Sequence, residues 1–343
     1  MRTFIALCCL ALLPCLSSLG ATETLKSAIE KGDLDKVKEL LNAKPDALNG
    51  LVAGTGQFPI HLAIYTGHQE VVEYLVEQGA DLTARVSPGR APLDVAVLLD
   101  NLPVAKLLIE HRAPVNGGAP EGKAPLHHAA IMGYEPLARF LLEKGADINV
   151  KDNSGRTPLH YTANAVVAGL LLQWGADINA ADNGGFSPLF AAVQERRTGL
   201  AQFLLEKGAD VNAANIQGET PLLWVIQRRQ AELIDLLLAH QADVNARNSQ
   251  GRTALHYAVM YADAALMQRL IDAGALVNVR DYSDGNTPLC LAIRPPSVDK
   301  AKLLLEHGAE VNLRRFDGQS PLSLAHGLSP EIEALLLEHG ATP

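Results

Sequence analysis

The sequence predicts an all-α solenoid, in which a helix, a tight turn, a second helix and an extended loop form a unit that stacks many times. Three observations carry this. First, a segment of the form Gly-x-[Ser/Thr]-Pro-Leu-x-x-Ala returns with its proline at Pro59, Pro92, Pro125, Pro158, Pro188, Pro221, Pro288 and Pro321, and Ala254 fills the one remaining place. Successive positions stand 33 residues apart, except for one gap of 30 and one of 34. A period that regular marks one supersecondary unit repeated. Second, each unit carries apolar residues at helical spacing between residues that start and stop helices. Third, the two ends break the pattern as capping units do. A chain of 343 residues would ordinarily suggest two or three domains, but a solenoid adds length without adding domains.

The unit from Gly122 to Ser154 shows why each element forms. Gly122 permits a tight turn. Pro125 sits at a first helical position, where its missing N–H costs nothing. In other units the residue before that proline is Thr157, Ser187, Thr220, Thr253, Thr287 or Ser320, hydroxyls suited to capping the free N–H groups of the first turn. Leu126, Ala129 and Ala130 give the first helix a face of small residues that lets neighbours approach closely. Gly133 ends it. Pro136 opens the second helix, as Pro103 does one unit earlier, and Leu137, Phe140, Leu141 and Leu142 supply its apolar face. Gly145 is a left-handed C-cap, and Ala146-Asp147-Ile148-Asn149 leads into a turn where Asp and Asn bond to nearby backbone.

Some units depart from this pattern. The unit at Pro158 lacks three residues between its helices, which predicts a shorter helix–helix turn and a local bend; the unit at Ala254 is followed by one extra residue near 281–283. Arg112 and Gln241 stand where glycine usually caps the second helix, at a cost on the order of 1 kcal/mol. The first unit, about 22–52, lacks the proline motif, and ten of its residues 22–44 are charged, as expected where an end face meets water. The last unit stops just past its second helix, whose Glu331, Glu333 and Glu338 make a polar face.

Residues 1–20 read differently. Arg2, an apolar run from Phe4 to Leu16 and the small residues Ser18 and Gly20 form a secretory signal pattern, with cleavage expected between Gly20 and Ala21. The run is shorter than the roughly 20 apolar residues of a membrane span. Cys15 after Leu12-Leu13-Pro14 offers lipid anchoring as an alternative, against which Pro14 counts because a small residue usually precedes such a cysteine. The expected layout is therefore a signal peptide, 1–20, and a repeat domain, 21–343, with the capping unit followed by nine motif-bearing repeats. The expected location is outside the cytoplasm, in a bacterial periplasm or secreted, since no Asn-x-[Ser/Thr] sequon is present. Three of the four cysteines lie in the leader, so Cys290 alone cannot form an internal disulfide and is expected to be a small buried apolar residue. The net charge is −9, and removing the leader takes one arginine and no acid. An acidic balance of this kind argues against nucleic acid as a partner.

Gly155-Arg156-Thr157-Pro158-Leu159-His160 and Leu204-Leu205-Glu206-Lys207-Gly208-Ala209-Asp210-Val211-Asn212 resemble the ankyrin repeat family, and the resemblance covers about residues 22–343. It implies antiparallel helix pairs with projecting β-hairpin-like loops, stacked into a curved solenoid that binds another protein along its concave side and loop tips. Carried onto this chain, the first-helix ends are Tyr65, Leu98, Leu99, Ile131, Met132, Gln194, Glu195, Gln227, Arg228, Met260, Tyr261 and Arg294. The loop tips bring Arg90, Lys123, Arg156 and Phe186, with Glu121, Glu219, Arg252 and Asn286 beside them. Tyrosine, methionine and arginine are enriched at interfaces. Trp224, Tyr161 and Tyr257, at a neighbouring position, are expected to pack within the stack.

The residues that suggest chemistry fall into the repeat instead. His61, His127, His160 and His256 share one position, where the resemblance implies that they tie a turn to the next unit; Phe190, Leu223, Cys290 and Ser323 replace them elsewhere, which a metal site would not tolerate. His111, His240, His307 and His339 share the last turn of the second helix, where a cation suits the helix dipole. His127-His128 is an adjacent pair with no second cluster of ligands. Ser187 and Ser320 are caps before proline, not nucleophile elbows. Gly54-Thr55-Gly56 lacks the strand and third glycine of a dinucleotide site, and the Asp-x-Asn pairs lack the ligand density of a calcium loop. The expectation is a monomeric, non-enzymatic scaffold for a protein partner, without cofactor, metal or catalytic residue. An inhibitor or protective factor for a periplasmic or host protein is the alternative, and an enzyme or small-ligand binder a further one.

Overall fold

The computed structural model describes residues 24–118 and 121–342, so the signal-peptide expectation, with Cys8, Cys9 and Cys15, lies outside the described residues. Contacts divide the chain into two compact units, residues 1–114 and 115–343. Twenty α-helices and one 3₁₀ turn are present among the described residues, and no strand. The chain is all-α, as the period predicts.

The first unit holds three helix pairs: α1 Leu25–Lys31 with α2 Leu34–Ala43, α3 Pro59–Thr66 with α4 Gln69–Glu77, and α5 Pro92–Leu98 with α6 Leu102–Glu110. Helices α1, α3 and α5 contact in succession to make one layer, and α2, α4 and α6 the other. Two isolated antiparallel bridges, Val52–Gln57 and Val86–Arg90, shape its loops.

The second unit continues with α7 Pro125–Met132, α8 Glu135–Glu143, α9 Pro158–Tyr161, α10 Ala165–Gln173, α11 Pro188–Gln194, α12 Thr198–Glu206, α13 Pro221–Gln227, α14 Ala231–Ala239, α15 Ala254–Tyr261, α16 Ala264–Asp272, α17 Pro288–Ile293, α18 Val298–Glu306, α19 Pro321–Ala325 and α20 Pro330–Glu338. The odd-numbered helices α7 to α19 form its first-helix layer, each touching the next. The core lies between the layers: Leu126, Ala129 and Ala130 of α7 and Leu137, Ala138 and Leu141 of α8 are fully buried. Each such leucine contributes about 1.5–3 kcal/mol relative to exposure.

Three repeated hydrogen bonds explain the regularity. Each second helix from α4 onward closes with a six-residue bond, such as Ala146 N–H to the Leu141 carbonyl, around a left-handed Gly145 at φ +87°. The Asn of each Asp-x-Asn pair then reaches the following unit: Asn149 Oδ1 accepts from Asp177 N–H at 3.0 Å, and Asn212 Oδ1 from Asp243 N–H at 2.8 Å. At the loop tips Asn153, Asn183, Ile216, Ser249, Tyr282 and Phe316 each donate an N–H to a carbonyl of the preceding tip. The tips are thus hairpin-like and laddered without forming strands. In the first unit Asn49 Oδ1 accepts from Asp81 N–H in the same way.

The missing three residues at Pro158 come out of the first helix, not only the turn: α9 has four residues against eight in α7. Thr162 hydroxyl donates to the Leu159 carbonyl at 3.0 Å, and Asn164 immediately caps α10. The extra residue near 281–283 widens a loop tip, so that Asp281 N–H pairs with the Asn286 carbonyl, one residue further than the Asp152–Arg156 pair. Arg112 and Gln241 do adopt the left-handed cap at φ +68° and +62°. So do Asp100, Arg196 and Arg229, which end first helices where Gly67 and Gly133 stand in other units.

Candidate protein-interaction surface

Three of the buried histidines, His127, His160 and His256, are fixed by two bonds each. His127 Nδ1 accepts from Ala124 N–H at 3.0 Å, which leaves its proton on Nε2, and Nε2 donates to the Arg156 carbonyl of the next unit at 3.0 Å. His160 does the same between Thr157 and Phe186, and His256 between Thr253 and Asn286. His61 Nε2 donates to the Arg90 carbonyl at 3.1 Å. Burial holds His61 and His256 down to about 4, against the raising effect of those backbone bonds, and lowers His127 and His160 too. These imidazoles are neutral links with no free nitrogen pair to bind a metal. Where histidine is missing, Ser187, Thr220, Thr287 and Ser320 cap through their hydroxyls instead. Among the described residues no group of three or more His, Cys, Asp or Glu could hold a metal ion, and no helix is long and apolar enough to cross a membrane.

All sixteen expected contact residues reach the surface; none is buried. In the first unit Leu99 is 40% exposed, and Tyr65, Leu98 and Arg90 are half-buried. In the second unit Glu195, Arg228 and Arg294 are exposed, while Ile131, Met132, Gln194, Gln227, Met260, Tyr261, Lys123, Arg156 and Phe186 are half-buried.

The structure gathers part of the second-unit set into two clusters. In one, the Tyr161 ring lies under Lys123 and Arg156, at 5.2 and 5.7 Å, and its hydroxyl donates to Asp152 Oδ2 at 2.6 Å. Arg156 Nε also pairs with Asp182 Oδ2 at 2.9 Å. Burial and the Asp152 bond push the Tyr161 phenol up to about 12. Burial works against the Asp152 carboxylate, but bonds from Tyr161 and the N–H groups of Arg156 and Ser154 outweigh it and lower its pKa. Lys123 and Arg156 are therefore held largely by the scaffold.

The other cluster is aromatic. Phe186 and Phe190 meet edge-on at 4.8 Å, and both pack against Trp224 at 6.4 and 5.6 Å. The Arg228 guanidinium lies 3.2 Å from the centre of the Trp224 ring, with Gln227 Oε1 accepting from its Nη1. The buried Trp224 Nε1 has no acceptor. Burial lowers the Arg228 pKa, opposed by Glu219. Glu219 Oε1 accepts from the Tyr257 hydroxyl at 2.7 Å, and the Tyr257 ring stacks on Tyr261 at 6.0 Å. Trp224, Tyr161 and Tyr257 pack within the stack as expected, but Trp224 also forms the platform under Arg228.

Sequence reasoning missed the exposed apolar loop-tip residues Ile216, Tyr282 and Phe316, at 69%, 59% and 61% exposure. Counting five or six residues back from each motif proline would have aligned them.

Paired helices stacked through repeated loop contacts, with variable side chains clustered on the first-helix ends and tips, define a protein-interaction scaffold. The family model described as ankyrin repeats (3 copies) matches residues 25–119, 88–152, 126–215, 212–281 and 260–343, and the chain belongs to the ankyrin repeat family. Similar curated proteins include the human transient receptor potential cation channel subfamily A member 1, 43% identical over 56 residues, or 16% of this chain and 5% of the channel. The mouse ankyrin repeat and SOCS box protein 5 is 43% identical over 58 residues, 17% of each chain. The Arabidopsis thaliana E3 ubiquitin-protein ligase XBAT32 is 38% identical over 63 residues, 18% of this chain and 12% of the ligase. The aligned segments thus span less than a fifth of these relatives.

Proposed function

We propose that this protein is a non-enzymatic scaffold acting outside the cytoplasm, which docks a partner protein on the first-helix ends and loop tips of its second unit. The Arg228–Trp224 platform carries the reading. Trp and Arg are the residue types that dominate binding energy at interfaces, above all when packed in a ring of neighbouring contacts. Here Phe186 supplies a half-buried aromatic neighbour against Trp224, and the unit is preformed by its own hydrogen bonds, so docking need not order the chain. The export part of the proposal rests on the pattern of residues 1–20. The protein is proposed to work as a monomer.

Capture of partners by the tagged protein from its native compartment, followed by affinity measurement on an identified partner, tests the reading. Trp224→Ala and Arg228→Glu are each expected to cost about 2 kcal/mol or more, roughly 30-fold in Kd. Unchanged affinity in both variants would remove the platform from the interface.

A further inference from the structure

Helix α10 is unlike every other second helix. Its sequence, Ala-Val-Val-Ala-Gly-Leu-Leu-Leu-Gln, contains no charged residue, whereas each of the others carries at least one Asp, Glu, Lys or Arg. A surface helix normally turns a charged face to water, and one that is apolar all round is normally covered. Val167, Ala168, Leu170 and Leu171 are indeed buried in the stack. The outer side is not: Val166 is 65% exposed and Trp174 42%. Above α10 lies an open groove of about 400 Å³, with Val166, Gly169, Leu170 and Phe203 in its floor and Glu135, Arg139 and Lys207 on its walls. Gly169 makes the notch. A Cβ there would meet only the Phe203 ring, at 3.4 Å, so packing does not require glycine, although glycine inside a helix costs about 0.5–1 kcal/mol.

The open charge on the lining of the groove is of one sign. Lys207, the C-cap residue of α12, stands on its wall. It pairs with no carboxylate among the described residues and lies over the ring of Phe203, in its own helix, at 5.6 Å. On the other wall Arg139 is already neutralised by Glu135 at 2.5 Å. The open charge is therefore positive and sits at the C-terminal end of α10.

We propose that this groove, on the second-helix layer away from the Arg228–Trp224 platform, is a second docking site that takes an amphipathic helix of a protein partner. Nine residues of α10 give a floor about 14 Å long, enough for two to three turns of a helix anchored at i, i+3/i+4 and i+7. Acidic residues in the first turn of that helix face Lys207. This places its N-terminus over the C-terminus of α10, the arrangement that helix dipoles also favour.

The test uses a fluorescein-labelled peptide about 18 residues long, enough for a helix to form, with leucines along one face and glutamates in its first turn. Its counterpart carries lysines in place of the glutamates. By anisotropy at low salt the acidic peptide is expected to bind the full-length protein at least about tenfold more tightly than the basic one, a gap of about 1.4 kcal/mol. Gly169→Arg, which fills the notch, is expected to abolish binding; Val166→Glu, at an exposed position, serves if Gly169→Arg does not fold. Lys207→Glu reverses the charge preference, and Arg228→Glu leaves both peptides unaffected. The proposal is overturned if neither peptide binds, if both bind alike, or if Gly169→Arg and Val166→Glu bind as the wild type does. It is equally overturned if ultracentrifugation shows a dimer that Gly169→Arg dissolves, since a second copy would then fill the groove.

Discussion

Acid should loosen the stack well above the pH at which carboxylates titrate, because its inter-repeat links are buried neutral histidines. The pKa of His256 falls from 6.5 to about 4 in the folded protein through burial. A folded value below the unfolded one means that protons bind the unfolded chain first. The stability contributed by the neutral histidine is complete above about pH 6.5 and is lost as pH falls toward the folded value. Between pH 7.5 and 5.0 the loss is about 2 kcal/mol, and it approaches about 3 kcal/mol below pH 4. The buried aspartates do not confuse this window. Burial raises the pKa of Asp152, Asp182 and Asp281, but hydrogen bonds outweigh it, aided by the charge of Arg156 at Asp182 and of Arg252 at Asp281, and leave each below 3.8, so their loss comes only under about pH 4. Urea denaturation followed by circular dichroism at several pH values measures the effect. The informative variant is His256→Leu, because the equivalent Leu223 is fully buried in the neighbouring unit. It is expected to remove about 2 kcal/mol of the pH dependence between 7.5 and 5.0. A wild type equally stable at both pH values, or a His256→Leu variant with undiminished pH dependence, would refute the neutral-link account.

Further outcomes follow from single positions. Arg112→Gly and Gln241→Gly relieve left-handed caps at φ +68° and +62°, and thermal melts should show each gaining up to about 1 kcal/mol. Gly185→Ala should cost more than Gly145→Ala in the same assay. Both sit at positive φ, but only at Gly185 would the new Cβ meet backbone, 2.8 Å from the Ile216 nitrogen. Asp152→Ala should cost about 1–3 kcal/mol by urea titration, since it strands the N–H groups of Ser154 and Arg156. Asp152→Asn should cost less, because Asn215 and Asn248 accept the same pair of N–H bonds in their own units.

The scaffold was legible because each repeat reuses the same residues for the same local reason. Pro125 and Thr157 start helices, Gly145 stops them, and leucines spaced three and four apart turn inward; all of this acts within a few residues of sequence. The partner positions of the histidines and asparagines were less legible, because their bonds join residues about 30 apart, as Asn149 to Asp177 and His127 to Arg156 show. The left-handed Arg196 and Arg229 were missed since no glycine marks those turns, although alignment with Gly67 and Gly133 would have exposed them.

The sequence by itself therefore determined the fold class, the family and the structural fate of most histidines, glycines and prolines, since these depend on local propensity repeated at a fixed period. Only the tertiary structure decided which surface residues are occupied and which are free. Arg156 and Arg228 look alike in the sequence, yet one is tied to Asp182 while the other lies exposed on Trp224. The bare outer face of α10 likewise shows only when α8 and α12 stand on either side of it. The physical reason is that pairing and burial depend on neighbours contributed by other repeats, and those distances are set by stacking rather than by any one segment.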